Sequence, residues 1–416
     1  MKGKKMTLGI RSVEKEIRID FEKLRKDRLN KIKESLKKSD CGSLLFFDFD
    51  NIRYTTSTTI GEWSRDKLSI YCLLPKDKDP ILFTVGSAVP LKREYCPWMG
   101  NDNIRVSNSS IKGAIPPEVK MTEKLAAEIY SILKEQGLEK EPVGIDISDY
   151  PTIRELQEQG LKISDGQNIA LNARIVKTNE EIKLIDTACG IADSGFYDAY
   201  NLIRPGVREN EIVAMINKKM FERGCDLVEC VNVESGERTN PHHHEFSDRL
   251  IRPGDVVYID IMTSFMGYRT CYYRTFFVGK PSKEQKDAYK LALQWLQDSV
   301  DSVKAGKTTG DLVKNWPKAE DFGWEDEEIA MDLQVGHGVG LNLYERPLMS
   351  RLFSFKYPYQ LVENNVLALE TFNSVGKGRR FRDNGVRIEE MVQVTKEGSN
   401  LLTKYPIADL DALTCW

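Results

Sequence analysis

The chain has 416 residues, in which 60 lysines and arginines nearly balance 63 aspartates and glutamates. This balance excludes a dedicated nucleic-acid binder, which would carry a basic excess over at least one domain. Apolar residues make up 41% and charged residues 30% of the sequence, as is typical of globular proteins rather than disordered ones. Because no apolar stretch reaches ~18 residues and the N-terminus is polar, we expect neither a membrane span nor a secretory signal.

Cysteine and histidine usage narrows the class of protein further. Eight cysteines are scattered without a CxxC pair, which indicates reduced thiols and a cytoplasmic protein. The chain has four histidines, of which three are consecutive (His242, His243 and His244) and the fourth is His337. Length alone predicts roughly two or three domains.

Helices and strands alternate in the first part of the chain. Apolar spacing predicts an amphipathic helix over residues 17–38 and another over 121–137. Short apolar runs predict four strands, at residues 43–48, 68–74, 81–85 and 143–147. This alternation predicts an α/β domain over residues 1–165.

The remainder, residues 166–416, begins with helices and continues mainly with strands. Helices are predicted from about residue 179 to the Pro205-Gly206 pair, over 209–223, and over 283–304. Strands are predicted at residues 226–233, 256–262, 270–278, 366–373 and 386–395. The pattern indicates an α+β domain with a largely antiparallel sheet flanked by helices.

Several polar side chains interrupt these apolar strands. Asp260, Glu370 and the adjacent Glu389 and Glu390 lie within apolar runs, and His337 stands between glycines. A buried carboxylate is costly unless it is paired or binds a cation. One imidazole with three carboxylates matches the ligands of Mn, Fe, Co or Zn, although internal ion pairs or polar turns are the alternative.

The order of these motifs resembles the creatinase/prolidase/methionine aminopeptidase family, whose catalytic domain has the pita-bread fold. The matching motifs are RPGDVVYID (252–260), YRTF (273–276), GHGVGL (336–341), Glu370 and VRIEE (386–390). The resemblance implies an α/β creatinase-type N-terminal domain, an α+β pita-bread C-terminal domain and a homodimer. In that dimer the N-terminal domain of one subunit would help to close the active site of the other.

The same resemblance implies a divalent metal bound by Asp260, His337, Glu370 and Glu389. A fifth ligand of the family, usually an aspartate, corresponds here to Cys271. Either its thiolate binds a softer ion such as Zn, or Cys271 is a small buried residue and no dinuclear site forms. The site would then be mononuclear, or it would hold no metal, as in creatinase.

The resemblance also implies catalytic roles. His243 corresponds to the substrate-facing histidine of the family, and a shift of one residue would assign that role to His242 or His244. Glu370 would handle a proton, and Tyr344 replaces a second histidine of the peptidases. Arg274 is assigned to substrate binding. The alternative for the histidine run is a solvated loop.

A second resemblance concerns the segment FFDFDNIRY (46–54), followed by Trp63. It is similar to the dimethylsulfoniopropionate lyase that shares this fold. The resemblance makes Asn51, Arg53 and Trp63 candidates for contacts with substrate, although ordinary packing at a strand end explains them equally well.

We therefore expect a hydrolase that cleaves a C–N bond in a small, zwitterionic substrate. The first alternative is a lyase acting on dimethylsulfoniopropionate or a related betaine. The second is a non-catalytic binding protein with the pita-bread fold. The expected partners are a small-molecule substrate and a second copy of the chain, with neither nucleic acid nor membrane.

Overall fold

The computed structural model describes residues 19–240, 244–322, 324–329, 335–375 and 384–416. The described residues form two compact units, one of residues 21–174 and one of the residues from 175 onwards together with residues 19 and 20. The sequence-based limits of 1–165 and 166–416 stay predictions. Over the described residues, no helix is both long enough and apolar enough to cross a membrane.

A mixed six-stranded sheet forms the centre of the first unit. Its strands are β1 (Ser43–Phe46), β2 (Tyr71–Pro75), β3 (Ile81–Thr84), β4 (Ile104–Val106), β5 (Val143–Ile145) and β6 (Ile163–Asp165). Their spatial order is β4-β3-β2-β1-β5-β6. The pairs β1–β2 and β2–β3 are antiparallel, whereas the outer pairs β3–β4, β1–β5 and β5–β6 are parallel.

Six helices accompany this sheet. They are α1 (Phe21–Lys37), α2 (Phe49–Thr56), α3 (Val89–Tyr95), α4 (Met121–Glu135), α5 (Tyr150–Glu158) and α6 (Gln167–Arg174). The apolar stripe of α4, which includes Leu125 and Ile129, packs on Leu45 and Phe83 of the sheet to form the core of this unit. Helix α2 follows β1 directly because the Asp48 side chain accepts the first backbone N–H groups of the helix.

Among the described residues of the second unit, five segments form α-helices: α7 (Asn179–Leu202), α8 (Glu209–Glu222), α9 (Lys283–Ser302), α10 (Thr309–Val313) and α11 (Arg351–Lys356). The start of α7 is fixed by a capping box, in which Thr178 and Glu181 satisfy each other's backbone N–H groups. The predicted starts at 179, 209 and 283 agree with these helices.

The strands described in the second unit form two five-stranded sheets. The first contains β7 (Leu227–Ser235), β8 (Val256–Phe265), β9 (Tyr268–Arg269), β10 (Tyr273–Val278) and β16 (Thr414–Cys415). The second contains β11 (Gly336–Gly338), β12 (Glu345–Met349), β13 (Val366–Ser374), β14 (Gly385–Val394) and β15 (Ser399–Leu401). All pairs are antiparallel except β10 with β16.

Strands β10 and β14 bring the two sheets together. The Thr275 hydroxyl accepts the Arg387 backbone N–H at 2.8 Å and donates to the Arg387 carbonyl at 2.6 Å. The single sheet predicted from sequence is thus two sheets joined by side-chain hydrogen bonds. This junction brings polar residues of both sheets into one site.

Candidate metal centre

The second sheet places three of the predicted ligands on one face. Glu370 of β13 lies directly opposite Glu389 of β14. His337 of β11 pairs with Ala368, two residues before Glu370 on β13. Because alternate residues of a strand share a face and paired residues lie side by side, His337, Glu370 and Glu389 project from the same surface of this sheet.

Close backbone packing holds His337 in place. A Cβ at Gly338 would lie 2.3 Å from the Arg346 carbonyl oxygen, and one at Gly336 would lie 2.6 Å from that of Ala368. The pairing of β11 with β12 shifts register between His337 and Gly338. Only glycine allows strands this close, so the glycine spacing seen in the sequence positions the imidazole.

The first sheet contributes Asp260 and Cys271. Asp260 lies on β8 between Asn232 of β7 and Tyr273 of β10, and the Asn232 side-chain amide donates to its Oδ2 at 3.4 Å. The Cys271 thiol lies 4.0 Å from Glu389 Oε2. Ligand atoms of Cys271, His337 and Glu389 all lie within 4.8 Å of one another, and all three residues are buried.

Burial dominates the electrostatics of these groups. It raises the pKa of Asp260 to about 7, with the Glu370 charge adding to the effect. It raises the pKa of Glu389 well above its usual range, again with Glu370 contributing. It likewise raises that of the Cys271 thiol, next to Glu389. Burial lowers the pKa of His337 to about 4, which keeps the imidazole neutral. A cation placed among these groups would stabilise their charged forms.

The hydrogen bonds of these residues also favour a bound cation. Within the described part of the chain, Asp260 Oδ1, His337 Nε2 and Glu389 Oε1 are buried and have no hydrogen-bond partner. His337 Nδ1 lies 3.0 Å from the Gly338 carbonyl oxygen, a contact that favours the proton on Nδ1 and directs the Nε2 lone pair into the cluster. A buried polar atom without a partner lowers the stability of the fold. A divalent cation would give these two carboxylate oxygens and the imidazole nitrogen a partner.

Glu370 has a hydroxyl beside it. The Tyr273 hydroxyl donates a hydrogen bond to Glu370 Oε2, and both side chains are buried. This contact fixes the orientation of the carboxylate and leaves it close to the predicted ligands.

Arg387 is a further candidate, which sequence reasoning missed even though it stands inside the VRIEE motif. Its guanidinium carbon lies 5.1 Å from the ring centroid of Phe372, 5.7 Å from that of Tyr273 and 5.9 Å from that of Tyr258. The residue is half-buried. A guanidinium held among aromatic rings near the candidate metal ligands suits recognition of a carboxylate.

Arg274, predicted to bind substrate, has its side chain inside the protein. Its side chain is fully buried and donates to Glu390 at 2.9 Å and to the Tyr405 carbonyl at 3.0 and 3.2 Å. It also donates to the backbone carbonyls of Tyr273 and Glu389. Every guanidinium nitrogen is thus engaged inside the protein, in contacts that connect Arg274 to β14, and its predicted role in substrate binding stays a prediction.

The histidine run and Tyr344 are placed in part. His242 and His243 lie outside the described residues. His244 is described and exposed, and its pKa is lowered by partial burial and by the Arg387 charge, which puts it within electrostatic range of that guanidinium. The Tyr344 ring centroid lies 4.5 Å from that of His337, and Tyr344 is 48% exposed. Tyr344 therefore lies on the solvent side of a predicted ligand.

The remaining substrate-binding candidates belong to the first unit. Arg53 is nearly buried within α2, and Asn51 of the same helix donates to Asp146 and Gln167. Trp63 is 59% exposed. Their predicted roles at an active site stay predictions.

A buried set of carboxylates, imidazole and thiol between two antiparallel sheets is typical of the divalent-metal centres of hydrolases. Comparison with known families agrees. The pattern of metallopeptidase family M24 matches residues 183–396, and that of the creatinase/prolidase N-terminal domain matches residues 28–176. The chain belongs to metallopeptidase family M24. The predicted pita-bread fold and the prediction of a prolidase-like hydrolase are both confirmed.

Individual relatives span most of the chain. An Xaa-Pro dipeptidase of Pyrococcus furiosus is 32% identical over 285 residues, or 67% of this chain and 76% of the relative. The dimethylsulfoniopropionate lyase DddP of Roseobacter denitrificans is 25% identical over 399 residues, or 93% of this chain and 87% of the relative. The crystal structure of the prolidase from Pyrococcus horikoshii OT3 is 25% identical with a TM-score of 0.72, covering 92% of this chain and 99% of that one.

Proposed function

We propose that the chain is a metal-dependent dipeptidase that hydrolyses the bond before proline in small Xaa-Pro substrates. The observation that carries this proposal is the buried cluster of Asp260, His337 and Glu389, in which each residue presents an atom with no hydrogen-bond partner among the described residues. The similarity to the Xaa-Pro dipeptidase of Pyrococcus furiosus supports the choice of substrate.

We propose Asp260, His337, Glu370 and Glu389 as the residues that hold the metal. When bound, a divalent ion supplies Lewis-acid polarisation of the scissile carbonyl and activates water. Zn, Mn, Fe and Co all accept nitrogen and carboxylate ligands of this kind. The His337 tautomer set by Gly338 and the buried carboxylates are the features of this chain that prepare the site.

The other residues have roles that follow from their positions. Glu370, oriented by the Tyr273 hydroxyl, accepts a proton from the attacking water and passes it towards the leaving nitrogen. Arg387 binds the carboxylate of the dipeptide by paired hydrogen bonds. A histidine of the run His242 to His244 donates a hydrogen bond at the developing negative charge, and the lowered pKa of His244 is consistent with a position near Arg387.

The test is a substrate panel with two variants. Protein purified without chelator is incubated with Xaa-Pro dipeptides, with the same dipeptides carrying alanine in place of proline, and with longer peptides, in the presence of Zn, Mn, Co or Fe. The proposal expects preferential cleavage of the Xaa-Pro dipeptides, a loss of kcat in Glu370→Gln, and a raised KM in Arg387→Met. Absence of cleavage with all four metals would contradict it.

A lyase acting on dimethylsulfoniopropionate is the second candidate. The similarity to DddP extends over 93% of this chain, further than the Pyrococcus furiosus relative reaches. The cluster of carboxylates beside an aromatic group also suits a sulfonium cation. Release of dimethyl sulfide, measured by gas chromatography under the same metal conditions, decides between the two activities.

We also propose that the protein is a cytoplasmic homodimer. All eight cysteines are free thiols, which agrees with a reducing compartment. The family resemblance supports a dimer in which a second copy completes the site. Light scattering of the full chain in solution measures this directly, and a monomer with full dipeptidase activity would refute it.

A further inference from the structure

Cys271 is the unusual member of the buried cluster. We propose that its thiolate is a direct ligand of the metal, and that the ion held by Cys271, His337 and Glu389 is thiophilic, of the zinc and cobalt class, rather than manganese or magnesium. This inference deepens the proposed function, on which it rests for the presence of a metal, and it leaves the substrate open.

The donor atoms of the three residues are close enough to share one ion. The donor atoms of Cys271, His337 and Glu389 lie within 4.8 Å of one another, and the sulfur is 4.0 Å from Glu389 Oε2. Zinc holds sulfur at ~2.3 Å and nitrogen or oxygen at ~2.0–2.2 Å. Donors this close together need only small side-chain movements to share one ion.

The thiol is buried next to polar atoms that a cation could bind. Cys271 is 6% exposed, and its backbone N–H is directed at the Met391 sulfur at 3.4 Å. The thiol sulfur lies within 4.8 Å of ligand atoms of His337 and Glu389, and among the residues described His337 Nε2 and Glu389 Oε1 have no hydrogen-bond partner. A cation there replaces the thiol proton, which passes to solvent, and forms a sulfur–metal bond.

Ligand chemistry gives the selectivity. A site of carboxylates and imidazole alone accepts manganese readily, whereas a thiolate shifts preference towards zinc and other softer ions. Cys271 lies between β9 and β10, and both of its neighbours are hydrogen-bonded to β8: the Thr270 N–H donates to the Thr263 carbonyl at 2.8 Å, and the Tyr272 carbonyl accepts the Ile261 N–H at 3.2 Å. Because the fold holds the sulfur in place, the folded protein itself should prefer zinc over manganese.

Two other cysteines provide controls. Cys189 is buried and lies 3.7 Å from the Met391 sulfur, next to the cluster but outside the donor set. Cys230 is half-buried, with its sulfur 3.1 Å from Asn232 Oδ1, on the side of Asp260. Neither belongs to the set of donors shared with His337.

The test uses cobalt as a spectroscopic probe of the metal-free full chain. Titration with Co²⁺ should produce a near-ultraviolet sulfur-to-cobalt charge-transfer band. The band should vanish in Cys271→Ser, which still binds cobalt by equilibrium dialysis, and persist in Cys189→Ser and Cys230→Ser. Cobalt binding to the wild type without the band, survival of the band in Cys271→Ser, or its loss in Cys230→Ser would each overturn the proposal.

Competition between zinc and manganese gives a second measurement. Cys271→Asp should reduce the preference for zinc over manganese by at least about tenfold, or ~1.4 kcal/mol. An unchanged preference would overturn the thiolate ligand. Failure here is distinguishable from failure of the proposed function: the band without Xaa-Pro cleavage refutes only the dipeptidase, and cleavage without the band refutes only the thiolate.

Discussion

Replacement of Arg274 by methionine tests the role that the structure gives to this residue. Arg274 and Glu390 form a buried ion pair with 0% and 2% exposed side chains and a distance of 2.9 Å. Methionine keeps most of the aliphatic volume and removes the charge together with its hydrogen bonds to the Tyr405 carbonyl. The change therefore isolates the polar contribution of the guanidinium.

The size of the stability loss depends on Glu390, which stays buried without its partner. Removing one partner of a buried pair strands the other, which destabilises by about 3–5 kcal/mol. Burial raises the pKa of Glu390 and the Arg274 charge opposes that rise, so the variant should take up a proton at Glu390 and limit the loss. We expect a decrease in the free energy of unfolding of about 3 kcal/mol, towards the lower end of that range.

Equilibrium urea unfolding measures this decrease. Arg274→Met combined with Glu390→Gln should recover part of the stability, because the unpaired charge is gone and Thr403 still contacts the residue at 390. Lys26→Met, which removes a lysine from an ion pair with Glu22 whose two side chains are both 70% exposed, serves as the control and should leave unfolding unchanged. Unchanged stability of Arg274→Met together with a raised KM would refute this reasoning and restore the substrate-binding role.

Four further predictions concern stability and metal binding. Lys177→Met should lower the free energy of unfolding by about 3–5 kcal/mol in urea titrations, because it strands Glu345, its partner at 2.8 Å in a pair that is 1% exposed on both sides; a change as small as that of a surface pair would contradict this. Gly338→Ala should weaken metal binding in calorimetric titrations, because the new Cβ would meet the Arg346 carbonyl and displace the neighbouring imidazole; unchanged affinity would show that the strand adjusts. Gly190→Ala, in open space on α7, should instead raise stability by about 0.5–1 kcal/mol, with metal affinity unaltered. Chelation should lower the melting temperature reversibly, since free metal at about 100 times its Kd stabilises the fold by ~2.7 kcal/mol; identical melting with and without metal would count against a structural role for the ion.

Long periodic elements were predictable from the sequence. Helix α7 combines a sustained apolar stripe with a capping box at Thr178, and its predicted start at residue 179 matches the structure. Strands β8, β13 and β14 were predicted to within a few residues because their apolar runs are long and bounded by turns. Shorter elements were missed: β11 has only three residues, two of them glycines, and its pairing partners are distant in sequence.

Some residues of the candidate site were also predictable from the sequence, and others were not. Polar residues within apolar strands, together with an imidazole between glycines, point to Asp260, His337, Glu370 and the adjacent Glu389 and Glu390, and the family resemblance distinguishes Glu389 from Glu390. The structure places all of them in one unit. The contacts of Arg274 and Arg387 were not predictable, because the partners of each arginine come from strands far apart in sequence. Glu389 and Glu390 are adjacent on β14, so their side chains point to opposite faces, and Arg274 pairs with the second of them. The rings around Arg387 come from β8, β10 and β13.

Anomalous diffraction from crystals of the chelator-free protein, recorded on both sides of the zinc absorption edge, tests the central claim most directly. For protein equilibrated with zinc, the account predicts a peak in contact with His337 Nε2 and Glu389 that disappears below the edge and is absent in His337→Ala crystals. Crystals of protein equilibrated with zinc that show no peak between Asp260, His337, Glu370 and Glu389, while active on Xaa-Pro dipeptides, would contradict it.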